Sequence, residues 1–305
     1  MLFPQARSAV EQAAGDPPVW EVDIAASRQQ ARDEAARLAG EDLAEVVDLD
    51  ADGVRCRLYR PAPETASSSS GAGVIVHLHG GGFVFHDIDV HDAISRRLAN
   101  RSGLSVLSVD YRRPPEHRFP AAPDDVDVVL AWLASAGQAH DLTGPLVLHG
   151  DSAGANLALV AALRNPGSAD GLVLIYPFLD PAASFGSYAT AAGFDRREAA
   201  WYWQQYAASP ADLGDPDLAP LGPDLVGQDR FAGLPATLVV TAEEDPLRDE
   251  GEHLAGLLAD AGVEVVATRY LGQVHGFWRH YDVFDAAEPL TRQVAGFLQA
   301  LTTRS

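Results

Sequence analysis

The sequence predicts an α/β fold in which a mostly parallel central sheet has helices on both faces. Short apolar runs alternate with stretches long enough to form helices, which is typical of successive β-α-β units. The runs are almost continuously apolar, as expected for strands buried on both faces of a sheet. A chain of 305 residues that is 47% hydrophobic is long enough for one such core. The apolar runs lie at 74–79, 104–110, 146–150, 172–177, 236–242 and 263–270.

Two further strands are predicted before the first of these runs. Residues 44–50 (AEVVDLD) and 54–60 (VRCRLYR) alternate apolar and polar side chains and flank a short turn that ends in Gly53. This pattern predicts an antiparallel hairpin at an edge of the sheet. The Ser- and Gly-rich tract at 67–73 has too little hydrophobicity to pack and is predicted to form a flexible loop.

Two segments interrupt the α/β rhythm and predict a helical cap. The N-terminal segment contains SRQQARDEAARLAG, which has helical composition and a mostly alanine apolar face. A later insertion is rich in aromatic residues and has no strand pattern. The predicted organisation is an N-terminal part of the cap (1–43), a first part of the core (44–180), a cap insertion (181–233) and a second part of the core (234–305).

Composition excludes several classes of partner. The formal net charge is −21, from 22 basic and 43 acidic residues, so neither nucleic acid nor an anionic membrane surface is an expected partner. A neutral or hydrophobic small molecule suits this charge better. Cys56 is the single cysteine, which rules out an intramolecular disulfide and a cysteine-rich metal site. No apolar run reaches the ~20 residues that span a bilayer. We therefore expect a cytoplasmic protein with no membrane span.

A serine lies where a predicted strand changes into a predicted helix. Residues 150–154 read Gly-Asp-Ser-Ala-Gly and match G-x-S-x-G, a motif that places a nucleophilic serine on a sharp strand-to-helix turn. The glycines at both ends allow the strand and the helix to pack closely. The partial positive charge of the helix N-terminus favours an anion that develops at Ser152. A serine that only caps the helix is the alternative.

A nucleophilic serine needs a base, and the base needs a carboxylate that orients it. With this motif, the acidic residue and then the histidine follow the serine along the chain, each on a loop after a strand. Asp245 follows the strand predicted at 236–242, and His275 follows the strand predicted at 263–270. Three rivals are less well placed. For the acid, Glu244 lies one residue before Asp245, and Asp249 lies on the next predicted helix. For the base, His280 lies farther from the strand than His275.

A glycine loop, His79 to Phe83 (HGGGF), follows the strand predicted at 74–79. Glycines let backbone amides converge on one point, where they can stabilise an oxyanion during acyl transfer. A phosphate-binding loop is the alternative, but the Lys-Ser or Lys-Thr pair of a P-loop is absent. His77 and His79 share one face of the strand. Because no third ligand is evident, we expect neither a metal nor a cofactor.

These motifs together resemble the hormone-sensitive-lipase-like family of α/β-hydrolases, in the bacterial esterase branch that carries HGGG and GDSAG. The resemblance covers nearly the whole chain after the N-terminal region. The chain departs from the family patterns at Ala155, at residues 113–114 and at residues 271 and 273, and these changes affect local loop geometry and substrate preference. The matching motifs are HGGGF at 79–83, DYRRPPEHRFPAAPDD at 110–125, GDSAGANLAL at 150–159, LIYP at 174–177, DPLRDEG at 245–251 and VHGF at 274–277.

The resemblance implies an α/β-hydrolase fold with a cap and assigns a role to each motif. Ser152 is the implied nucleophile, and Asp245 and His275 complete a catalytic triad. The implied oxyanion hole consists of the backbone amides of Gly81, Gly82 and Ala153. Aromatic residues of the cap and of the catalytic loops are expected to line a substrate pocket, with core packing as the alternative for each of them. They are Phe83, Trp201, Tyr202, Trp203, Tyr206 and Phe277.

The leading hypothesis is a serine carboxylesterase that hydrolyses short- to medium-chain carboxylic esters through an acyl-enzyme. An acyltransferase or amidase with the same triad is the first alternative, because the acyl-enzyme is common to all three. A non-catalytic ligand-binding member of the family is the second. The expected partner is a small-molecule ester, and the exposed edge strand allows a homodimer.

Overall fold

The computed structural model describes residues 1–65, 73–222 and 229–302, except the side chains at 229 and 302. Apart from Gly73, the tract predicted as a flexible loop lies outside these residues. Within them, eight strands form one sheet, and each overlaps a run predicted as a strand. They are β1 (Glu45–Ala51), β2 (Val54–Arg60), β3 (Val74–Leu78), β4 (Ser105–Val109), β5 (Leu146–Asp151), β6 (Gly171–Ile175), β7 (Ala236–Glu244) and β8 (Val265–Val274).

The strand order is β1-β2-β4-β3-β5-β6-β7-β8. All neighbouring strands from β4 to β8 are parallel. Strand β2 is antiparallel to both β1 and β4, so the predicted hairpin forms one edge of the sheet. The mostly parallel α/β fold is therefore confirmed.

Helices cover both faces of the sheet. Within the described ranges, every helix is too short or too polar to cross a membrane. The helices are α1 (Pro4–Ala13), α2 (Ile24–Ala35), α3 (Asp92–Ser102), α4 (Ala121–Ala136), α5 (Ala153–Arg164), α6 (Ser187–Thr190), α7 (Arg196–Tyr206), α8 (Arg248–Asp260) and α9 (Ala287–Thr302), with short 3-10 helices at Gly137–His140, Pro210–Gly214 and Asp229–Phe231.

Alternate residues of each strand contribute to two separate core clusters. In β3, Val74 and Val76 pack on the face covered by α4, α5 and α8, whereas Ile75 packs on the opposite face with α3 and α9. Helix α5 is central to the first cluster, since every residue from Ala153 to Ala162 is buried. Burial on both faces explains why the strands read as continuous apolar runs.

The segments predicted to form a cap are helical in the described residues. Helices α1 and α2 belong to the N-terminal segment, and α6 and α7 belong to the insertion. Arg28 of α2 reaches the loop after β3, where its Nε donates to the carbonyl of Val84 at 2.7 Å. Both segments also contribute residues to the cavity at the carboxyl ends of the strands. The division of the chain into four cap and core parts stays a prediction.

Candidate active site

The turn between β5 and α5 has the geometry expected of a nucleophile elbow. Ser152 has φ 55° and ψ −119°, a conformation that costs a non-glycine residue free energy and is held by its surroundings. Its backbone N–H donates to the carbonyl of Ile175 at 2.9 Å. A Cβ on Gly150 would overlap the backbone of Gly154, and a Cβ on Gly154 would overlap the carbonyl of Leu78. Both flanking glycines are thus required by the close approach of strand and helix.

Ser152, His275 and Asp245 form one hydrogen-bonded chain. The distance from Ser152 Oγ to His275 Nε2 is 3.0 Å, and the distance from His275 Nδ1 to Asp245 Oδ2 is 2.9 Å. The Asp245 side chain is completely buried, whereas that of His275 is 21% exposed. The other oxygen of Asp245 accepts from the backbone N–H of Leu247 at 2.8 Å, which fixes the carboxylate. These contacts suit transfer of the serine proton to the imidazole.

The rivals for the acid and the base have other partners. Glu244 accepts from the N-terminal amino group at 2.5 Å, and Asp249 accepts from the backbone N–H of Ser187 at 2.8 Å. His280 Nε2 lies 2.6 Å from the guanidinium of Arg279, and burial lowers the pKa of His280 to about 3. The structure therefore brings Ser152 together with the two partners expected from the strand order.

The glycine loop after β3 lies beside the serine. Gly81 and Gly82 line the same cavity as Ser152, and both have positive φ values, 110° and 60°. Ala153 is the first residue of α5, so its N–H has no acceptor within the helix. Within the described part of the chain, none of these three amides has a hydrogen-bond acceptor. They are free to donate to an anion beside Ser152.

Asp151 holds this loop in place, a contact that the sequence reasoning missed. Its Oδ1 accepts from the backbone N–H of Gly80 at 2.9 Å. Burial raises the pKa of Asp151 to about 6. Tyr111 fixes the loop from the other side, because its hydroxyl donates to the carbonyl of His79 at 2.7 Å. In the sequence, the one sign of this role was that Asp151 directly precedes Ser152.

A cavity of about 630 Å³ opens onto the serine and the histidine. The N-terminal segment forms one wall, and the cap insertion and the glycine loop form others. No sequence motif indicated the N-terminal residues individually. The lining residues of the N-terminal segment are Asp16, Pro17, Val19, Val22, Ser27, Gln30, Ala31 and Glu34; those of the loop after β3 and of the insertion include Phe85, His86, Phe194, Glu198 and Tyr202, and Phe178 lies in the segment after β6.

The aromatic residues expected to line a pocket divide between the cavity and the core. Tyr202 lines the cavity. Trp201 instead stacks on Phe85, with ring centroids 5.9 Å apart. The other four are buried in the core clusters and do not line the cavity, which corrects the expectation for them. A helix turns about 100° per residue, so neighbours on α7 face different surroundings. The four are Phe83, Trp203, Tyr206 and Phe277.

Comparison with known proteins places this geometry in a family. A family model described as alpha/beta hydrolase fold matches residues 75–279, which is more than half of the chain. Ethyl acetate hydrolase of Pseudomonas putida is 32% identical over 288 residues, 89% of this chain and 88% of that protein. Carboxylic ester hydrolase LipN of Mycobacterium tuberculosis is 33% identical over 302 residues, 92% of this chain and 77% of that protein.

A solved structure has the same fold over its full length. The hyperthermophilic esterase from the archaeon Pyrobaculum calidifontis is 34% identical and superposes with a TM-score of 0.88. The superposition covers 98% of this chain and 98% of that chain. The cap segments are therefore included in the similarity.

Proposed function

The chain belongs to the α/β-hydrolase family, in its hormone-sensitive-lipase-like branch, and from this premise we propose that it is a serine carboxylesterase acting through an acyl-enzyme. The observation that carries the proposal is the hydrogen-bonded chain from Ser152 through His275 to Asp245, which opens onto the cavity. The ester-hydrolase names of the relatives support the same reaction class.

In the proposed first half-reaction, Ser152 Oγ attacks the ester carbonyl while His275 Nε2 accepts its proton. Asp245 orients the imidazole and stabilises its positive charge. The carbonyl oxygen gains negative charge, and three backbone amides donate to it. When the tetrahedral intermediate collapses, His275 gives the proton to the departing alkoxide, and the acyl group stays on Ser152. The donating amides are those of Gly81, Gly82 and Ala153.

The second half-reaction repeats these steps with water as the nucleophile. His275 accepts a proton from water, the hydroxide attacks the acyl carbonyl, and Ser152 leaves with the returned proton. The acid product and the free enzyme result. Removing one donor from an oxyanion hole lowers kcat by about 10²–10³-fold, so the position of the glycine loop matters for the rate in addition to proton transfer.

We propose short- to medium-chain acyl groups as substrates. The cavity of about 630 Å³ lies within the range of roughly 300–1,000 Å³ that holds small ligands. One similar protein is named for ethyl acetate, a short ester. The cytoplasmic location and the homodimer stay predictions from the sequence.

The proposal is tested with p-nitrophenyl esters of increasing acyl length. We expect turnover by the wild type that falls by about 10⁶-fold in Ser152→Ala and by about 10⁴-fold in Asp245→Asn, the losses typical of serine triads. Ser135→Ala, on the surface of α4, is the matched control and should keep full activity. Circular dichroism checks the folding of each variant. Activity that survives in Ser152→Ala, or a wild type that transfers the acyl group to an added alcohol instead of water, contradicts the proposal.

A further inference from the structure

A row of buried imidazoles crosses the sheet below the oxyanion loop. His77 of β3 and His149 of β5 occupy paired register positions, and their Nδ1 atoms are 3.0 Å apart. His77 Nε2 lies 3.2 Å from Nδ1 of His91, the residue that precedes α3. His91 Nδ1 lies 3.7 Å from Asp151 Oδ1. All four residues are buried, and the catalytic steps proposed above do not use the imidazoles.

Hydrogen bonds within the row do not account for its polar atoms. Within the described residues, His91 Nε2 and His149 Nε2 are buried and have no hydrogen-bond partner. Such atoms are rare in protein cores, because the loss of their hydration is not recovered. Two of the six ring nitrogens in the row are therefore unsatisfied, and the other four face one another across the row.

The spacing of the row matches the ligand shell of a small divalent cation. One ligand atom from each of His77, His91 and Asp151 lies within 4.8 Å of the other two. Around tetrahedral zinc, with ligand distances of about 2.0–2.2 Å, neighbouring ligand atoms are separated by roughly 3.3 Å. The distances of 3.2 and 3.7 Å are close to that value. Two imidazoles and one carboxylate also suit a cation of borderline softness.

Protonation in the row favours cation binding. A neutral imidazole carries one N–H and one lone pair, and the contacts within the row decide which nitrogen carries which. When His77 donates its N–H from Nδ1 to His149, its Nε2 is left as the ligand. His91 Nδ1 becomes the second ligand atom when the ring proton of His91 is on Nε2. Binding of the ion then displaces no proton from either imidazole. Asp151 supplies the negative charge.

We propose that His77, His91 and Asp151 bind one divalent transition-metal ion of the Zn²⁺ class, with His149 orienting His77. The ion joins β3, the end of β5 and the start of α3. Because Asp151 also accepts from the N–H of Gly80, the ion fastens the oxyanion loop to the sheet. Asp151 lines the catalytic cavity, which gives the ion a route of entry. This site replaces the expectation of no metal, and His79 is not one of its ligands.

The test uses full-length protein without an affinity tag. The protein is freed of metal with a chelator, saturated with Zn²⁺ or Co²⁺, passed through gel filtration and analysed for metal content. We expect about one ion per wild-type chain, less than one tenth of an ion in His77→Gln and His91→Asn, and a higher Tm for the metal-loaded wild type. His117→Gln and His253→Asn alter exposed histidines and should bind like the wild type.

A measurement on the wild type alone keeps the proposal testable if the variants fail to fold. X-ray absorption of the zinc-loaded protein counts the imidazole ligands, and two are expected together with oxygen. A folded wild type that retains no ion after gel filtration overturns the proposal. So does binding that persists in both ligand variants, or a shell with oxygen ligands only, because the ion then binds elsewhere.

Discussion

Gly82 occupies a position where the backbone and its surroundings both exclude a side chain. Its φ of 60° is in the left-handed region, and a Cβ would overlap the ring of Tyr202 on α7. The amide that we propose as an oxyanion donor therefore depends on the absence of one methyl group. Single atoms matter here because an oxyanion donor must lie within a few tenths of an ångström of its place.

We expect Gly82→Ala to lower kcat by about 10²-fold, because the loop must shift to admit the methyl group and the amide moves with it. Tyr202→Ala in the same chain removes the overlap and should recover part of the loss. Gly53→Ala is the control, since Gly53 also has a positive φ but has open space around its Cβ position. Steady-state kinetics of the four proteins measure the effect, and equal activity of Gly82→Ala and wild type would exclude a role for this loop position.

Helix α2 shows how a polar element is held against the core. Its apolar face is weak, and none of its residues is fully buried. Arg28 supplies the attachment instead: besides the contact with Val84, it donates to the Glu116 carboxylate at 2.9 Å and to the carbonyl of Pro114 at 2.5 Å. Its side chain is only 12% exposed. Arg32 of the same helix also donates to the buried carboxylate of Asp87 at 2.6 Å, so two guanidinium groups hold the wall of the cavity formed by α2.

We expect Arg28→Ala to raise KM by about tenfold while kcat changes by less than about twofold. Loss of the charge-assisted hydrogen bonds costs about 1.5–3 kcal/mol in the attachment of α2, and the triad does not touch this residue. Arg37→Ala removes an exposed arginine just after the same helix and should behave like the wild type. Steady-state kinetics of Arg28→Ala on one ester measure both constants. A fall in kcat with unchanged KM would mean that α2 acts on the chemistry and not on substrate binding.

Several titratable groups are buried in the part of the molecule that the structure describes. Burial keeps the pKa values of His77, His91 and His149 below their usual range. The unfolded chain binds protons at these histidines as the pH falls below about 6.5, whereas the folded chain does not. Acid therefore favours unfolding through the histidines. Asp151 and Glu250 act in the opposite direction, because burial raises their pKa values.

We expect His149→Asn to make the stability of the metal-free protein less sensitive to acid. Removing one histidine that stays neutral in the fold should reduce the loss of stability between pH 7 and pH 5.5 by about 1 kcal/mol. Urea unfolding at several pH values, with a chelator present, measures the dependence. His253→Asn, an exposed control, should follow the wild type. If the stability of His149→Asn fell more steeply with falling pH than that of the wild type, the pKa of His149 would be raised in the fold and not lowered.

Much of this molecule was predictable from local sequence patterns. Periodicity located all the strands that the structure describes. The inner strands are buried on both faces and are apolar along their length, whereas the hairpin strands β1 and β2 alternate apolar and polar residues. The motif around Ser152 specified its turn, because only glycines tolerate the contacts at positions 150 and 154. The chain order then singled out Asp245 and His275. The pocket was less predictable: of six aromatic residues expected there, Tyr202 lines the cavity.

The sequence by itself determined the fold, the reactive turn and the order of the residues proposed to act on the ester. These features depend on short-range rules, namely the two-residue period of a strand and the steric limits of a sharp turn. Only the tertiary structure decided that α2 forms a wall of the cavity, that Asp151 holds the oxyanion loop, and that His91 meets His77. Such contacts join residues from separate elements, and their existence depends on how those elements pack, which no local pattern encodes.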